Sequence, residues 1–286
     1  MMDIYQYAYG NAANDQGCKA GPFTLERAAQ KKAVLHSHCQ WHAPLQLQNQ
    51  HYQAAATPDV ARLATQLAND TANSVAHQRF FTTLGGDHTM AIGSWSGASV
   101  ALNHALGLIW FDAHMDSHTT KTSETQNIHG MPLAALLGYG DATLTQILSP
   151  QPKIKPKNLV LIGTHSFEPD EEALLKKLRV KIFYMDDIKK LGLKNVFLQA
   201  IEIVTQYTNG FGISIDLDGF DPIDAPGVGV PVNGGIRAED FFKHFSLIAH
   251  HEKLVGADIA EFNPARDHEH KTEKVAIDIL QEFATR

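Results

Sequence analysis

The feature that most constrains this chain lies in residues 105–130. There the apolar run Leu106-Gly107-Leu108-Ile109-Trp110-Phe111 stops abruptly at Asp112-Ala113-His114-Met115-Asp116. The run is too short for a stable helix and bulky enough for a strand covered on both faces. Three potential metal ligands follow it, at alternate positions, where such a strand would emerge from a sheet. Open parallel sheets build their sites at the carboxyl ends of their strands. If the backbone stays extended there, the period of two puts Asp112, His114 and Asp116 on one side.

Two other stretches repeat the arrangement. Residues 80–84 read as a strand ending in Gly85-Gly86-Asp87-His88. Residues 210–215 read as a strand ending in Asp216-Leu217-Asp218-Gly219-Phe220-Asp221-Pro222. The paired glycines permit a tight turn and close backbone approach. Further strands are expected at 4–9, 33–36, 158–163, 181–185 and 254–259. Helices are expected at 22–32, from Thr57 onward, within 90–106, and at 131–137, 170–178, 186–207 with a break near Gly192, 238–251 and 272–283. At the second of these, Thr57 is expected to cap, with Pro58 opening the helix and Asp59 at its positive end. Val60, Leu63, Ala64 and Leu67 then mark its buried side. The alternation predicts a parallel sheet with helices on both faces. No linker, repeat or low-complexity tract interrupts it, so residues 1–286 are expected to form one domain.

The three clusters hold two imidazoles, His88 and His114, and four carboxylates, Asp112, Asp116, Asp216 and Asp218. Taken singly, Gly-Gly-Asp-His is an ordinary turn and Asp-x-Asp an ordinary solvated loop end. Together, each after an expected strand, they point to one shared site. Four carboxylates in a cleft need compensating positive charge, because like charges raise one another's pKa. No Lys or Arg lies within any of the clusters. Two divalent cations would balance them. A mostly oxygen donor set with two nitrogens suits manganese, with zinc, cobalt and iron as alternatives. Such a pair of ions can generate hydroxide near neutral pH. The neighbouring groups read as structural: Asp221 as a turn residue before Pro222, Asp87 as a supporting or structural carboxylate beside the better ligand His88, and His268 and His270 as solvated. Residues 36–42, with three histidines and Cys39, match no dependable zinc spacing and read as a polar loop.

Composition excludes several function classes. A formal net charge of −7 gives no drive toward nucleic acid or an acidic membrane surface. No apolar run approaches the about 20 residues needed to span a bilayer. Cys18 and Cys39 are too few for a disulfide framework, which fits a reduced, cytoplasmic setting. The N-terminal residues lack the basic and apolar regions of a secretory leader.

The three motifs, in their order and separation, resemble the signatures of the ureohydrolases: arginase, agmatinase and formiminoglutamase. The resemblance covers about residues 80–265. It implies an α/β class chain with the three-layer α/β/α arginase-like fold and a central, mainly parallel eight-stranded sheet. It also implies two Mn2+ ions, a small-molecule guanidino substrate and a homo-oligomer, trimer or hexamer. Arginase is the branch resembled most. Asn127-Ile128-His129-Gly130 follows Asp116 at the separation of the corresponding arginase histidine. Residues 226–235 are similar to the arginase loop ending in Gly-Gly. Asp258-Ile259-Ala260-Glu261-Phe262-Asn263-Pro264 is similar to the segment whose glutamate holds the guanidinium.

The implied reaction is hydrolysis of L-arginine to urea and L-ornithine. On this resemblance Asp112 and Asp216 bridge the ions, His88 and Asp116 complete one ligand set, and His114 and Asp218 complete the other. Asp116 also orients the attacking hydroxide. Glu261 pairs with the guanidinium through charge-assisted hydrogen bonds, and His129 shuttles a proton to the departing amine. Several positions depart from the arginase pattern. His118 stands where arginases begin their substrate loop with Asn. Ser123 and Thr125 stand where Thr and Ser are usual. Glu168, in His165-Ser166-Phe167-Glu168-Pro169-Asp170-Glu171, stands for the aspartate that reads the substrate α-amino group. These four and Asn127 are the expected substrate contacts. The N-terminal glycine-rich arginase signature is not clear. Agmatine, or another guanidino or formimino compound, is therefore the second reading of the substrate. A non-catalytic metal-binding homologue is the third.

Overall fold

In a computed structural model, which describes residues 1–47 and 51–286, eight strands lie side by side in one sheet. They are β1 (Met2–Tyr7), β2 (Cys39–Trp41), β3 (Phe81–Gly85), β4 (Leu106–Phe111), β5 (Leu159–Thr164), β6 (Lys181–Tyr184), β7 (Gly210–Asp216) and β8 (Leu254–Ala260). Their order is β2-β1-β3-β8-β7-β4-β5-β6, and every pairing is parallel. The eight-stranded α/β architecture is as expected. The four strands that carry the sequence motifs and Glu261, namely β3, β8, β7 and β4, are consecutive at its centre.

Eleven helices accompany the sheet among the described residues: α1 (Gly21–Ala29), α2 (Ala33–His38), α3 (Thr57–Ala76), α4 (Met90–Ala101), α5 (Pro132–Leu136), α6 (Ala142–Thr145), α7 (Pro169–Leu178), α8 (Met185–Leu191), α9 (Leu193–Thr205), α10 (Ala238–Ala249) and α11 (Lys271–Ala284). Successive side chains of β4 go to opposite cores, as a period of two requires. Ile109 and Phe111 join Leu25 of α1, Phe197 of α9, Phe241 of α10 and Leu280 of α11. Leu108 and Trp110 join Leu63 of α3, Trp95 of α4 and Leu133 of α5. Both faces of the central strands are thus sealed, which is why they read as unbroken apolar runs. Helix α4 is buried over residues 90–99, lying between α3 and the sheet, so it shows no polar side.

Three expectations differ. Residues 33–36 form α2 rather than a strand. Only Leu35 of that helix is buried, so one turn of helix suffices to cover it. The edge strand comes instead at Cys39–Trp41, which pairs in register with Met2, Asp3 and Ile4. The histidine-rich stretch 36–42 is therefore a helix end and an edge strand, not a loop, and among the described residues it gathers no metal-type cluster. Thr57 does not cap its helix. Ala56 holds the cap position, and the Thr57 hydroxyl donates to Ala54 O at 2.8 Å.

Candidate metal centre

Each motif leaves its strand in a turn that its own carboxylates build. At the end of β4, the His114 N–H donates to Asp112 Oδ1 at 2.6 Å, and the Ala113 N–H donates across to Asp218 Oδ1 at 3.3 Å. At the end of β7, the Asp218 N–H donates to Asp216 Oδ1 at 3.0 Å. The backbone beyond β4 is not extended, contrary to the expectation from alternate spacing. Asp116 sits in the left-handed region at φ 47, as does Glu261 at φ 64 beyond β8. Such conformations are unfavourable for residues with a Cβ and persist where surrounding contacts impose them. Here the Asp116 carbonyl accepts from Leu133 N–H at 2.9 Å, and the Glu261 N–H donates to Gly86 O at 2.9 Å. The close approach expected at the paired glycines is real: a Cβ on Gly86 would lie 1.8 Å from Tyr9 O.

The expected ligands converge on a buried floor. His88 Nδ1 lies 2.9 Å from Asp116 Oδ2, 3.1 Å from Asp216 Oδ2 and 3.4 Å from Asp112 Oδ2. His114 Nδ1 lies 3.1 Å from Asp218 Oδ2 and 3.6 Å from Asp112 Oδ1. Asp112 faces both imidazoles. His88 Nδ1 is buried and makes no aligned hydrogen bond, although three carboxylates surround it. A buried ring nitrogen among three carboxylates is the donor set that a divalent cation suits, so these residues fit divalent metal.

The charges of the floor depend on one another. Burial raises the Asp116 carboxyl, and the Asp112 charge adds to it, pushing it up to about 7. Burial and neighbouring carboxylates likewise raise Asp216 and, more strongly, Asp218. Burial alone would lower His88, but Asp112, Asp116 and Asp216 override it and hold the imidazole well above its usual range. His114 is raised in the same way by Asp218 and Asp112. A divalent cation among these groups would oppose each of these shifts.

A supporting layer, not anticipated from the sequence, aims these ligands. Trp110 stacks on His88, with ring centroids 4.3 Å apart, and donates from Nε1 to Asp112 Oδ2 at 2.9 Å. His88 Nε2 meets Ser214 Oγ at 2.9 Å, and Ser214 donates onward to Asp258. Partners of this kind fix ring orientation and ligand basicity. Trp110 and Ser214 each lie two residues before a candidate ligand, Asp112 just beyond β4 and Asp216 at the end of β7. That period was the signal available for them.

Above the floor is a cavity of about 210 Å³. His114, Asp116, Asp216, Asp218, His129 and Glu261 line it, as do all five expected substrate contacts, His118, Ser123, Thr125, Asn127 and Glu168. His129 Nδ1 lies 3.1 Å from Glu261 Oε1, which also accepts from His88 N–H at 3.0 Å. Burial opposes protonation of His129, but Glu261 prevails and pushes its pKa up to about 9. Glu261 itself is held below the usual carboxylate range, because His129 outweighs its burial. Cys18 donates from Sγ to Glu261 Oε2 at 3.1 Å. Nothing in the sequence around Cys18 signals that contact. Glu171 was also missed: it is buried, lines the cavity and accepts from Ser117 N–H at 3.2 Å.

The remaining groups behave as read. Asp87 is buried, accepts from Ala12 N–H at 3.0 Å and belongs to no metal-type cluster among the described residues. Asp221 accepts from Ile223 N–H and Gly234 N–H, both at 3.0 Å, as a turn residue does. His268 and His270 are exposed. No helix among the described residues is long and apolar enough to cross a membrane.

Along most of its length the chain is similar to known arginases. The model of the Arginase family matches residues 4–285. The arginase of Bacillus caldovelox is 41% identical over 221 residues, which cover 77% of this chain and 74% of that one. The solved native structure of the same arginase gives a TM-score of 0.92 at 33% identity, covering 100% of this chain and 98% of the other. The crystal structure of Entamoeba histolytica arginase in complex with L-ornithine gives a TM-score of 0.90 at 28% identity, covering 100% and 98%.

Proposed function

The chain belongs to the arginase family of metal-dependent hydrolases acting on guanidino C–N bonds, and on that premise we propose that it converts L-arginine to urea and L-ornithine with two Mn2+ ions bound. The observation that carries the reading is the meeting of His88, Asp112, His114, Asp116, Asp216 and Asp218 beneath a cavity that also holds Glu261 and His129. His88 and Asp116 would hold one ion and His114 and Asp218 the other, with Asp112 and Asp216 serving both. Bound there, two divalent cations supply Lewis acidity and lower the pKa of water.

The chain's own residues do the rest. Glu261 takes the guanidinium through charge-assisted hydrogen bonds and holds its carbon over the floor. Asp116 accepts a hydrogen bond from the attacking water and so directs it. His129, protonated at neutral pH beside Glu261, delivers its proton to the departing amine. At the upper end Ser123, Thr125 and Asn127 offer donors to the substrate carboxylate, and Glu168 accepts from its ammonium. The L-ornithine in the E. histolytica complex has both of those groups. We also propose a trimer or hexamer.

Agmatine is the second reading, because the Glu168 carboxylate already has His118 Nε2 at 2.5 Å. Urea release from both substrates by the Mn2+-loaded protein separates them. The arginase reading expects kcat/KM for L-arginine to exceed that for agmatine by about tenfold or more, the worth of one charge-assisted contact. Faster agmatine turnover would replace it with the second reading.

A further inference from the structure

We infer that Cys18 is a positioning residue for Glu261, its thiol setting the direction in which the second carboxylate oxygen faces the cavity. The inference rests on the reading above that Glu261 takes the guanidinium, whether the substrate is L-arginine or agmatine. Cys18 lies in a short 3-10 turn, Gly17–Ala20, that leads into α1, and it is fully buried. Its Sγ reaches Glu261 twice, at 3.1 Å to Oε2 and at 3.4 Å to the backbone carbonyl. Burial and the Glu261 charge hold the thiol well above its usual range, so it stays protonated and donates.

The contacts on the carboxylate divide between its two oxygens. Oε1 accepts from His88 N–H at 3.0 Å and meets His129 Nδ1 at 3.1 Å. A carboxylate offers about four acceptor positions, two on each oxygen. Oε1 is thus filled, while the thiol takes one position on Oε2 and leaves the other for the guanidinium. The last torsion of a glutamate is broad. Contacts on Oε1 alone would let the carboxylate turn about that oxygen and swing Oε2 away from the substrate. The thiol opposes that rotation.

The turn is built to keep the thiol there. Gly17 leaves no room for a Cβ, which would meet the Asn263 side chain, and its N–H donates to Asp15 Oδ1 at 2.9 Å. Asp15 Oδ2 accepts from Asn263 Nδ2 and pairs with Arg266 Nε, both at 2.9 Å. Arg266 also donates from Nη1 to Gly229 O at 2.7 Å. The segment that carries Cys18, the residues after Glu261 and the loop at Gly229 are therefore tied into one unit around Oε2. A thiol is a weak donor, so its contribution is direction more than strength.

Inhibition of urea release by the guanidinium ion, measured on the full Mn2+-loaded chain, tests the assignment. Cys18→Ala and Cys18→Val both remove the donor, one leaving space and the other filling it. Each should weaken guanidinium inhibition, and lower kcat/KM for the substrate, by about threefold to tenfold, as the loss of one modest hydrogen bond does. Cys18→Ser restores a donor and should be inhibited more tightly than either. A residue that only fills space would follow side-chain volume instead, with Cys18→Ser no better than Cys18→Val. Circular dichroism and metal content by mass spectrometry check that fold and floor are kept. Unchanged inhibition in Cys18→Ala and Cys18→Val, or equal loss in Cys18→Ser, overturns the assignment. Glu261→Gln separates this outcome from failure of the underlying reading. If that variant loses inhibition while the donor-free Cys18 variants keep it, only the role of Cys18 falls. If Glu261→Gln keeps it as well, the guanidinium does not bind at Glu261 and both fall.

Discussion

His129 Nδ1 stands 3.1 Å from Glu261 Oε1, although 132 residues separate them in sequence. The two come from different edges of the cavity, the loop after β4 and the end of β8. Each shifts the other: Glu261 makes the imidazole a stronger base, and His129 keeps the carboxylate ionised despite burial. A guanidinium bound at Glu261 would compete for the charge that now holds the His129 proton.

Glu261→Gln should therefore act twice. It removes the anion that binds the guanidinium, and kcat/KM should fall by roughly 10²-fold. It also removes the partner that raises His129. The imidazole should then titrate below about 9, moving the limb of the pH profile that reports it to lower pH. Steady-state kinetics across pH on both proteins reads the two effects. An unmoved limb would mean that His129 does not set it.

The metal-free protein should lose stability as pH rises from about 5 to 9. Carboxyls raised by burial, such as Asp116 at about 7, bind a proton in the folded state that the unfolded state has already released. His88 and His114, raised above the usual imidazole range, contribute in the same direction, their stabilisation being lost as pH rises through their folded pKa values. Divalent metal should reverse the trend, because it binds the deprotonated ligands. Stabilisation by an ion at a hundred times its Kd is about 2.7 kcal/mol. Thermal melts with and without EDTA should show a metal-induced gain in Tm that grows with pH.

Ser214→Ala should weaken metal binding without touching a ligand. Ser214 joins His88 Nε2 to Asp258, whose carboxyl burial pushes up to about 7. Loss of such a supporting contact typically costs about 10–100-fold in metal affinity. Competition against a calibrated chelator measures it, with His88→Ala as the limiting case.

Gly229→Ala should separate catalysis from metal binding. Its Cβ would lie 2.7 Å from Glu261 Oε2 and 3.5 Å from Cys18 Sγ, so the carboxylate must shift. A displacement of about 1 Å can cost roughly 10²-fold in rate. Metal content, read by mass spectrometry, should stay at the wild-type value. A drop in metal content would place Gly229 in support of the floor instead.

Much of this was legible because the signals were local. β4 falls on the apolar run read for it, and the ends of β3 and β7 lie within a residue of expectation. The three motifs follow those strands directly, so the site could be placed at one end of the sheet from spacing alone. Where the reading failed, the deciding contact was distant. The backbone of residues 33–36 adopts helix because the register with β1 belongs to Cys39–Trp41. Ala56 rather than Thr57 takes the helix cap, leaving the Thr57 hydroxyl on Ala54 O.

Sequence by itself determined the layers, the strands that bear the ligands and the chemical character of the floor, since burial and charge are properties of short segments. Only the tertiary structure decided that β8 lies between β3 and β7, which brings Glu261 to the His88 backbone and His129. It alone turned Asp116 into the left-handed region, joined Ser214 to His88, set Cys18 on Glu261 and closed His118 onto two glutamates. Those contacts arise from the order in which parallel strands pair and from loops crossing above them. Neither is written in the spacing of neighbouring residues.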